Sequence, residues 1–385
     1  MTNILPLFPR SMPRLIPARI REGREAKELS MADLGELVGV TRQAISFYES
    51  GEREPEPETL MKIIGVLEQP IAFFTTERPK SFGRRSTTFF RSFKSKTKRT
   101  NRRCEILSDW FAETASYLDT FINFPAVDLP EIKPPQAGQH YTDEEIEAAA
   151  TQVRRHWNLA DGPIADVVGL LESKGVIVAR SEFGVDTVSA FSFWDGGRPF
   201  IFLGADKESA SRARFDAAHE LGHLVLHRGV ETQDLEVDLD KLEREADRFG
   251  SAFLLPAATY SLEIFSTRLG AFVELKRRWK VSIAAQIYRC LDLGILSDMQ
   301  VLNLRKQLSA HQWRKREPLD NELPVEKPRV MEKALRLLLD NRVQTASDIL
   351  DGVRLSRQTM GALLGTALPS VPEDEPADIA PRLRH

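Results

Sequence analysis

The sequence predicts a multidomain, mainly α-helical protein: an N-terminal five-helix domain, then an α+β domain with a small sheet, then a helical C-terminal region. Its 385 residues exceed the length of one typical domain. Apolar residues recur at helical spacing along most of the chain, and runs typical of β-strands are confined to its middle. Two proline-rich linkers, 125–139 and 315–328, separate these parts.

We expect five segments, whose boundaries follow these changes in pattern. They are an N-terminal domain at 1–75, a basic and amphipathic connector with a proline-rich linker at 76–139, the α+β domain at 140–318, a C-terminal helical region at 319–368 and a tail at 369–385. The tail is rich in proline and acidic residues, a composition that predicts disorder.

Composition and charge restrict the classes of protein that fit. No apolar run approaches the roughly 18–20 residues that a membrane helix needs, and prolines and arginines interrupt the N-terminus, unlike a secretory signal. Cys104 and Cys290 are too few for a disulfide framework. We therefore expect a cytoplasmic protein without a membrane partner. Residues 1–103 hold 20 Lys and Arg against 12 Asp and Glu, whereas the rest of the chain is acidic. We therefore expect only this N-terminal part to bind nucleic acid.

Four or five short helices are expected between residues 16 and 68. Ser30 can cap the second helix and Thr41 the third, because hydroxyl side chains accept hydrogen bonds from the first free N–H groups of a helix. Gly35 falls where a neighbouring helix must approach closely, and Gly39 supplies the turn between the two helices.

The run LGELVGVTRQAISFYESGEREPEPETL resembles the Cro/repressor-like helix-turn-helix family, the xenobiotic-response-element-like regulators, over roughly fifty residues. The resemblance implies that the third helix enters the major groove of double-stranded DNA and that the chain acts as a homodimer. The residues it would place against DNA are Thr41, Arg42, Gln43, Ser46 and Phe47. Arginine pairs with guanine, glutamine pairs with adenine, and an aromatic edge can touch a thymine methyl. The alternative is a small helical module that contacts protein.

The connector begins with a strongly basic stretch. Residues 80–103 contain ten Lys and Arg and no acid, with interleaved phenylalanines. Such a mixture suits a nucleic-acid backbone, but it is equally typical of the solvated face at the start of a long helix. We expect a helix that begins basic, ends amphipathic and carries the N-terminal domain away from the rest of the chain.

The α+β domain should begin at a helix whose Thr142 and Glu145 form a capping box. A helix at 163–174 and three strand-like runs follow, and Asp195-Gly-Gly is expected to form a tight hairpin turn between the last two. The last run, RPFIFLG at 198–204, could pair with an extended substrate, since sheet edges accept strands.

The next predicted helix contains FDAAHELGHLVLHRG, residues 215–229. His219 and His223 lie one turn apart on one face and can hold the same metal ion. Glu220 points about a quarter-turn aside, where a carboxylate can act as general base. His227 lies ~12 Å along the axis from His219, too far to share the ion, and is expected to line a pocket or to form hydrogen bonds. The alternative is a set of core histidines satisfied by backbone groups.

A third metal ligand is expected on the following helix, where Glu245 lies at the edge of an apolar stripe. A carboxylate directed into a core is costly unless a cation pairs with it. The alternative is an ion pair between Glu245 and a buried Arg212 or Arg214. Glu243 and Asp247 are expected to face solvent.

AHELGHLVLH followed by EREADRFGSAFLLP resembles the ImmA/IrrE family of metallo-endopeptidases, and the resemblance extends over about residues 140–318. It implies a zincin-like fold with His219, His223 and Glu245 as ligands of Zn²⁺ and Glu220 as the base. Mn²⁺ or Fe²⁺ would also suit these ligands. The chain departs from the family pattern at Gly250 and Phe253, which bear on packing and not on ligation.

Together the two resemblances imply a DNA-binding transcriptional regulator of the stress-response type. Its zinc-dependent endopeptidase would cleave a partner regulatory protein such as a repressor. The alternative is a non-proteolytic transcription factor or antitoxin-like regulator that uses the zincin domain as a sensor or interaction platform.

Helices at 270–278, 282–293 and 297–310 are expected to continue the same domain. Residues 331–364 also look helical, and Leu355-Ser-Arg-Gln is similar to Val40-Thr-Arg-Gln. A simple helical cap or dimer element is favoured there over a second helix-turn-helix.

Overall fold

The computed structural model describes residues 14–90, 97–136, 139–181, 190–204, 209–230 and 232–365. These residues form two compact units. The first contains the described parts of 1–80, 97–121 and 335–385, and the second those of 81–96 and 122–334. The predicted disordered tail at 369–385, Phe93 of the basic stretch and the first two residues of the expected strand at 188–194 lie outside the described residues.

The secondary structure is mainly helical, as predicted, with a small sheet in the second unit. The elements in chain order are α1 (Pro17–Ala26), α2 (Met31–Val38), α3 (Arg42–Ser50), α4 (Pro57–Leu67), α5 (Ile71–Thr75), β1 (Phe89–Phe90), α6 (Lys98–Asp119), α7 (Asp143–His156), α8 (Val167–Ser173), β2 (Ile177–Ser181), β3 (Ala190–Asp195), β4 (Arg198–Gly204), α9 (Ala210–Leu226), α10 (Thr232–Leu254), α11 (Ala257–Tyr260), a 3₁₀ turn (Ser261–Glu263), α12 (Leu269–Trp279), α13 (Ile283–Asp292), α14 (Asp298–Ala310), α15 (Val330–Asp340), α16 (Ala346–Val353) and α17 (Arg357–Leu364). Within the described part of the chain, no helix has the length and apolar character needed to span a membrane.

Helices α1–α5 form the five-helix domain, and local sequence determines the turn between α2 and α3. Ser30 and Asp33 form a capping box at the start of α2, and the Thr41 hydroxyl accepts a hydrogen bond from the Ala44 N–H at the start of α3. Gly39 has a φ of 77°, a left-handed conformation that glycine adopts at little cost. A Cβ at Gly35 would lie 2.7 Å from the Val40 carbonyl oxygen, so the close approach expected at this glycine is present.

Helix α6 packs inside the first unit, whereas the sequence suggested a helix that carries the N-terminal domain away from the rest. The Trp110 indole N–H donates to the Glu22 carboxylate of α1 over 2.5 Å, and its ring meets the edge of Phe73 at 5.5 Å. The apolar face of α6 is too large to leave in water, and α1 and α5 provide the surface that covers it.

The similarity between residues 355–358 and 40–43 extends to local geometry. Helix α16 has eight residues and a capping box like α2, Arg354 has a left-handed conformation like Gly39, and Ser356 caps α17 as Thr41 caps α3. The Gln69 amide N–H donates to the Thr359 hydroxyl over 2.7 Å, so the start of α17 packs on the end of α4 within the first unit.

The sheet of the second unit has the strand order β1-β3-β4-β2. Strands β3 and β4 form an antiparallel hairpin in which Asp195 pairs with Arg198, and Gly196 in the turn has a φ of 57°, as the expected tight turn requires. Strand β2 runs parallel to the other side of β4. The expectation that RPFIFLG pairs with a substrate is therefore wrong, because β3 and β2 already occupy both edges of β4.

Helix α9 lies against β3 and β4 on one side and α10 on the other. Fifteen of its residues are buried, so it is enclosed nearly all round, as its apolar composition predicts. Two glycines allow the close contact with α10: a Cβ at Gly222 would lie 3.2 Å from the Ala246 Cα, and one at Gly250 would lie 3.0 Å from the His219 nitrogen. The glycine at position 250 thus brings the two helices together at the first histidine.

Candidate metal centre and DNA-reading helix

His219 and His223 lie one turn apart on α9, and each side chain is 1% exposed. Their Nε2 atoms are 3.1 Å apart, so both imidazoles direct the same ring nitrogen to one point. Both histidines therefore occupy the positions that the helical spacing predicts.

Glu243 of α10 faces both imidazoles. Its Oε2 atom lies 3.4 Å from His219 Nε2, and its Oε1 atom lies 3.4 Å from His223 Nε2. The three candidate ligand atoms lie within 4.8 Å of one another. Among the described residues, this is the only group of three such side chains close enough to share an ion. Two imidazoles and one carboxylate form the donor set of many catalytic zinc sites, so these residues fit a divalent cation.

Glu245, expected as the third ligand, points elsewhere. Its carboxylate accepts hydrogen bonds from His227 Nε2 over 2.8 Å and from the Tyr141 N–H over 3.2 Å, and it lies 3.0 Å from His140 Nδ1. Two residues along a helix correspond to a rotation of about 200°, so Glu243 and Glu245 cannot face the same histidines. The expectation that Glu243 faces solvent is wrong, because its carboxylate faces His219 and His223 across the contact between α10 and α9.

The alternative ion pairs for Glu245 are not formed either. Arg214 pairs with Glu326, and Arg212 donates to the Arg314 carbonyl oxygen over 2.7 Å.

The outer nitrogen of each imidazole is held by a second side chain. Asp247 Oδ1 lies 2.8 Å from His219 Nδ1, and His227 Nδ1 lies 2.9 Å from His223 Nδ1. His227 is in turn bound by Glu245, so the Glu245 carboxylate influences the orientation of His223 through His227. Such outer hydrogen bonds fix the ring orientation and leave Nε2 for a metal ion. His227 thus forms hydrogen bonds, as the helix spacing led us to expect.

Glu220 lies beside the two histidines and is bound by a residue that sequence analysis missed. The Ser192 hydroxyl of β3 donates to Glu220 Oε2 over 2.6 Å, and Glu220 is 1% exposed. Burial raises the pKa of the Glu220 carboxyl to about 8, although the nearby His219 opposes this. The signal in the sequence was a lone hydroxyl in the apolar strand AFSFW, where a buried polar group needs a partner.

The charges around the centre favour a cation. Burial lowers the pKa of the His223 imidazole to about 3, which keeps it in the neutral form that binds metals. Burial also disfavours charge on His219, but hydrogen bonds to Asp247 and Glu243 outweigh this and raise its pKa to about 10. Carboxylates that stabilise a positive imidazole also stabilise a divalent metal ion at the same place.

The five residues expected to meet DNA lie at the start of α3 and along one side of it. Thr41, Arg42, Gln43 and Ser46 are exposed, Phe47 is half-buried, and the intervening Ile45 is buried. The Arg53 guanidinium lies 5.2 Å from the centre of the Phe47 ring and adds a cation to the same side. The exposed face of α3 thus combines hydrogen-bonding side chains with an aromatic ring, as readout in the major groove requires.

The fold and the two sites define a protein that joins a helix-turn-helix domain to a domain with a buried metallopeptidase-type centre. Comparison with protein families agrees: residues 20–74 match the family model described as helix-turn-helix, and residues 171–291 match the IrrE N-terminal-like domain, Peptidase_M78. A comparison with curated proteins gave no match. The predicted fusion of the two domains is confirmed, and the second match contains both histidines and Glu243.

Proposed function

We propose that this protein is a DNA-binding transcriptional regulator whose second unit is a zinc-dependent endopeptidase. The observation that carries the proposal is the convergence of His219 Nε2, His223 Nε2 and the Glu243 carboxylate beside a buried Glu220. His219, His223 and Glu243 would hold a zinc ion with three protein ligands, the number typical of catalytic and not of structural zinc. The match to Peptidase_M78 supports the same class of reaction.

The chemistry divides between the ion and the surrounding side chains. Zinc, when bound, polarises a peptide carbonyl and lowers the pKa of water. A cation held beside Glu220 would favour its ionised form. The Glu220 carboxylate then takes the proton of the water that adds to the carbonyl carbon, and it returns a proton to the amide nitrogen as the C–N bond breaks. Ser192 holds Glu220 Oε2 and so leaves the other carboxylate oxygen for proton transfer. Asp247 and His227 keep the imidazoles oriented.

We propose that the substrate is a regulatory protein bound to the same DNA, such as a repressor. Fusion to a helix-turn-helix supports this class, because binding to an operator raises the local concentration of proteins bound nearby. The protein would bind a palindromic site as a homodimer, in keeping with the two-fold symmetry common among helix-turn-helix regulators.

The experiment that tests this function is a comparison of new protein N-termini. Native cell extract is incubated with the zinc-loaded protein or with the Glu220→Gln variant, and new N-termini are identified by mass spectrometry. We expect a small set of termini, concentrated in one or a few DNA-binding proteins, with the wild type only. The same termini with both proteins, or none with either, would show that the chain is a regulator without peptidase turnover.

Replacing Arg42 with alanine should weaken binding to an operator selected from random DNA by about 1–3 kcal/mol, because a bidentate contact to a base is lost. Fluorescence anisotropy at fixed salt measures the change. Arg21→Ala is the matched control, since this arginine of α1 has a side chain 62% exposed and removes the same charge. Equal losses for both variants would mean that Arg42 contributes charge alone and reads no base.

A further inference from the structure

Strand β1 covers the outer edge of β3, the strand whose Ser192 side chain binds Glu220. Residues Phe89 and Phe90 pair antiparallel with Ser192 and Phe191. Earlier in the same segment, the Ser86 N–H donates to the Trp194 carbonyl oxygen over 2.7 Å, and Arg85 forms a bridge with Asp195. The chain itself therefore supplies the fourth strand of the sheet.

This pairing reaches the catalytic region. Phe89 pairs with Ser192, and the Ser192 hydroxyl holds Glu220 over 2.6 Å. Neighbouring strands lie about 4.8 Å apart, so the backbone of residue 89 runs one strand spacing from the residue that positions the proposed base. A polypeptide lying on this edge would therefore run one strand away from the residue that holds the proposed base.

The β1 pairing is irregular, whereas the described β3–β4 and β2–β4 pairings each keep one register. In the described part of the chain it pairs Phe89 and Phe90 with β3, and the residues that follow, 91–96, lie outside that part. Its register also shifts by one residue between the Arg85–Asp195 bridge and the Phe89–Ser192 pair, which places a β-bulge in the segment. A bulged edge strand is displaced at a smaller cost than a regular one.

Side-chain contacts attach the beginning of the segment to β3. The Asp195 carboxylate accepts hydrogen bonds from the Ser81 hydroxyl over 3.1 Å and from the Phe82 N–H over 2.9 Å. The Arg85 guanidinium lies 3.7 Å from the centre of the Phe193 ring. These contacts hold residues 81–86, and the ladder that includes Phe89 and Phe90 occupies the part of the edge beside Ser192.

A peptidase site must admit a polypeptide, yet Glu220, His219 and His223 are each 1% exposed. Entry of a substrate therefore requires a movement of the surrounding structure. At the outer edge of β3, beside these residues, an incoming strand can replace β1 without breaking the β3–β4 hairpin.

We propose that the β3 edge is the docking site for an extended segment of the protein substrate, and that residues 85–90 occupy it as an internal competitor. The proposal rests on the proposed peptidase function for its biological meaning. The physical exchange of strands does not depend on catalysis. An incoming segment would take over the backbone hydrogen bonds that Ser86 now makes to Trp194 and that residues 89 and 90 make to β3.

A labelled peptide with the sequence of residues 81–90, SFGRRSTTFF, tests the exchange in the zinc-loaded full-length protein. In the Arg85→Ala variant, the internal strand loses its contact with Phe193, whereas the added peptide retains an arginine that can restore it. We expect the variant to bind the peptide about tenfold more tightly than the wild type does. Arg84→Ala is the matched control, because the Arg84 side chain is exposed and the charge change is the same.

A second peptide with proline at the position of Ser86 lacks the N–H that bonds to Trp194 and should not bind. Equal affinity of the first peptide for all three proteins would overturn the proposal. The two proposals remain distinguishable, because the peptide copies an internal competitor and its binding tests only the docking site, whereas the comparison of new N-termini tests the peptidase.

Amide hydrogen exchange of the wild-type protein gives an independent test, which does not depend on whether a variant folds correctly. We expect the amides of residues 84–90 to exchange at least about a hundredfold faster than those of β4. If residues 84–90 were protected as strongly as β4, the segment would be a permanent strand and the proposal would fail.

Discussion

Replacing Glu243 with glutamine is expected to remove the zinc ion, whereas the same replacement at Glu245 should leave most of it bound. Glu243 offers its oxygens to the point where His219 and His223 converge, at 3.4 Å from each Nε2 atom. A neutral amide there loses the negative charge and most of the affinity for the metal. Glu245 contacts His227, His140 and the Tyr141 backbone, and it acts on the metal site through His227, so its loss should cost no more than the roughly 10–100-fold that removal of an outer hydrogen bond costs.

Elemental analysis of the dialysed proteins, followed by competition with a chelator, measures the difference. The wild type should hold about one zinc per chain, as a single His-His-Glu site requires. Circular dichroism controls for folding, since both variants preserve side-chain volume. Loss of zinc from Glu245→Gln with retention in Glu243→Gln would restore the ligand set implied by the family resemblance and contradict the geometry of α10.

Replacing Glu220 with glutamine should lower the rate of cleavage by at least about 10²–10⁴-fold, with zinc content and DNA binding unchanged. The amide can still accept the Ser192 hydrogen bond but cannot take a proton from water. Because Glu220 is not among the three side chains that converge on the metal position, the ion should remain.

The rate is measured on the substrate identified in cell extract, at saturating and at limiting concentration. Glu274→Gln, on the exposed surface of α12 with a side chain 73% exposed, is the matched control for the loss of one carboxylate. Full cleavage by Glu220→Gln would remove this residue from the mechanism even if the zinc site were intact.

Local signals determined what could be predicted from sequence. The helix-turn-helix depends on Ser30, Gly39 and Thr41, whose effects act within four residues, and the structure contains each of them as expected. The two histidines were predictable for the same reason, because a spacing of four residues on one helix fixes their relation.

The third ligand depended on the rotation of one helix against another, which no local signal specifies. Placing the carboxylate two residues away, at Glu245, reverses the direction in which it points. The packing of α6 against α1 and the pairing of β1 with β3 are likewise contacts between segments distant in the chain. The phenylalanines at 89 and 90 lie in a basic stretch that suggested nucleic acid, and their pairing with β3 depends on a partner a hundred residues away.

The tether of β1 has a consequence for selectivity. Because Ser81 and Phe82 anchor the segment to β3, the strand that follows them competes at the millimolar effective concentration typical of short flexible linkers, independent of how dilute the protein is. Free peptides at micromolar concentration would lose this competition nearly always. A successful substrate must then be held near the enzyme by a second attachment, such as a common stretch of DNA, so that its own effective concentration reaches the same range. The internal strand would thereby favour substrates that are already bound nearby. Cleavage would then not require an extensive recognition sequence around the cleaved bond.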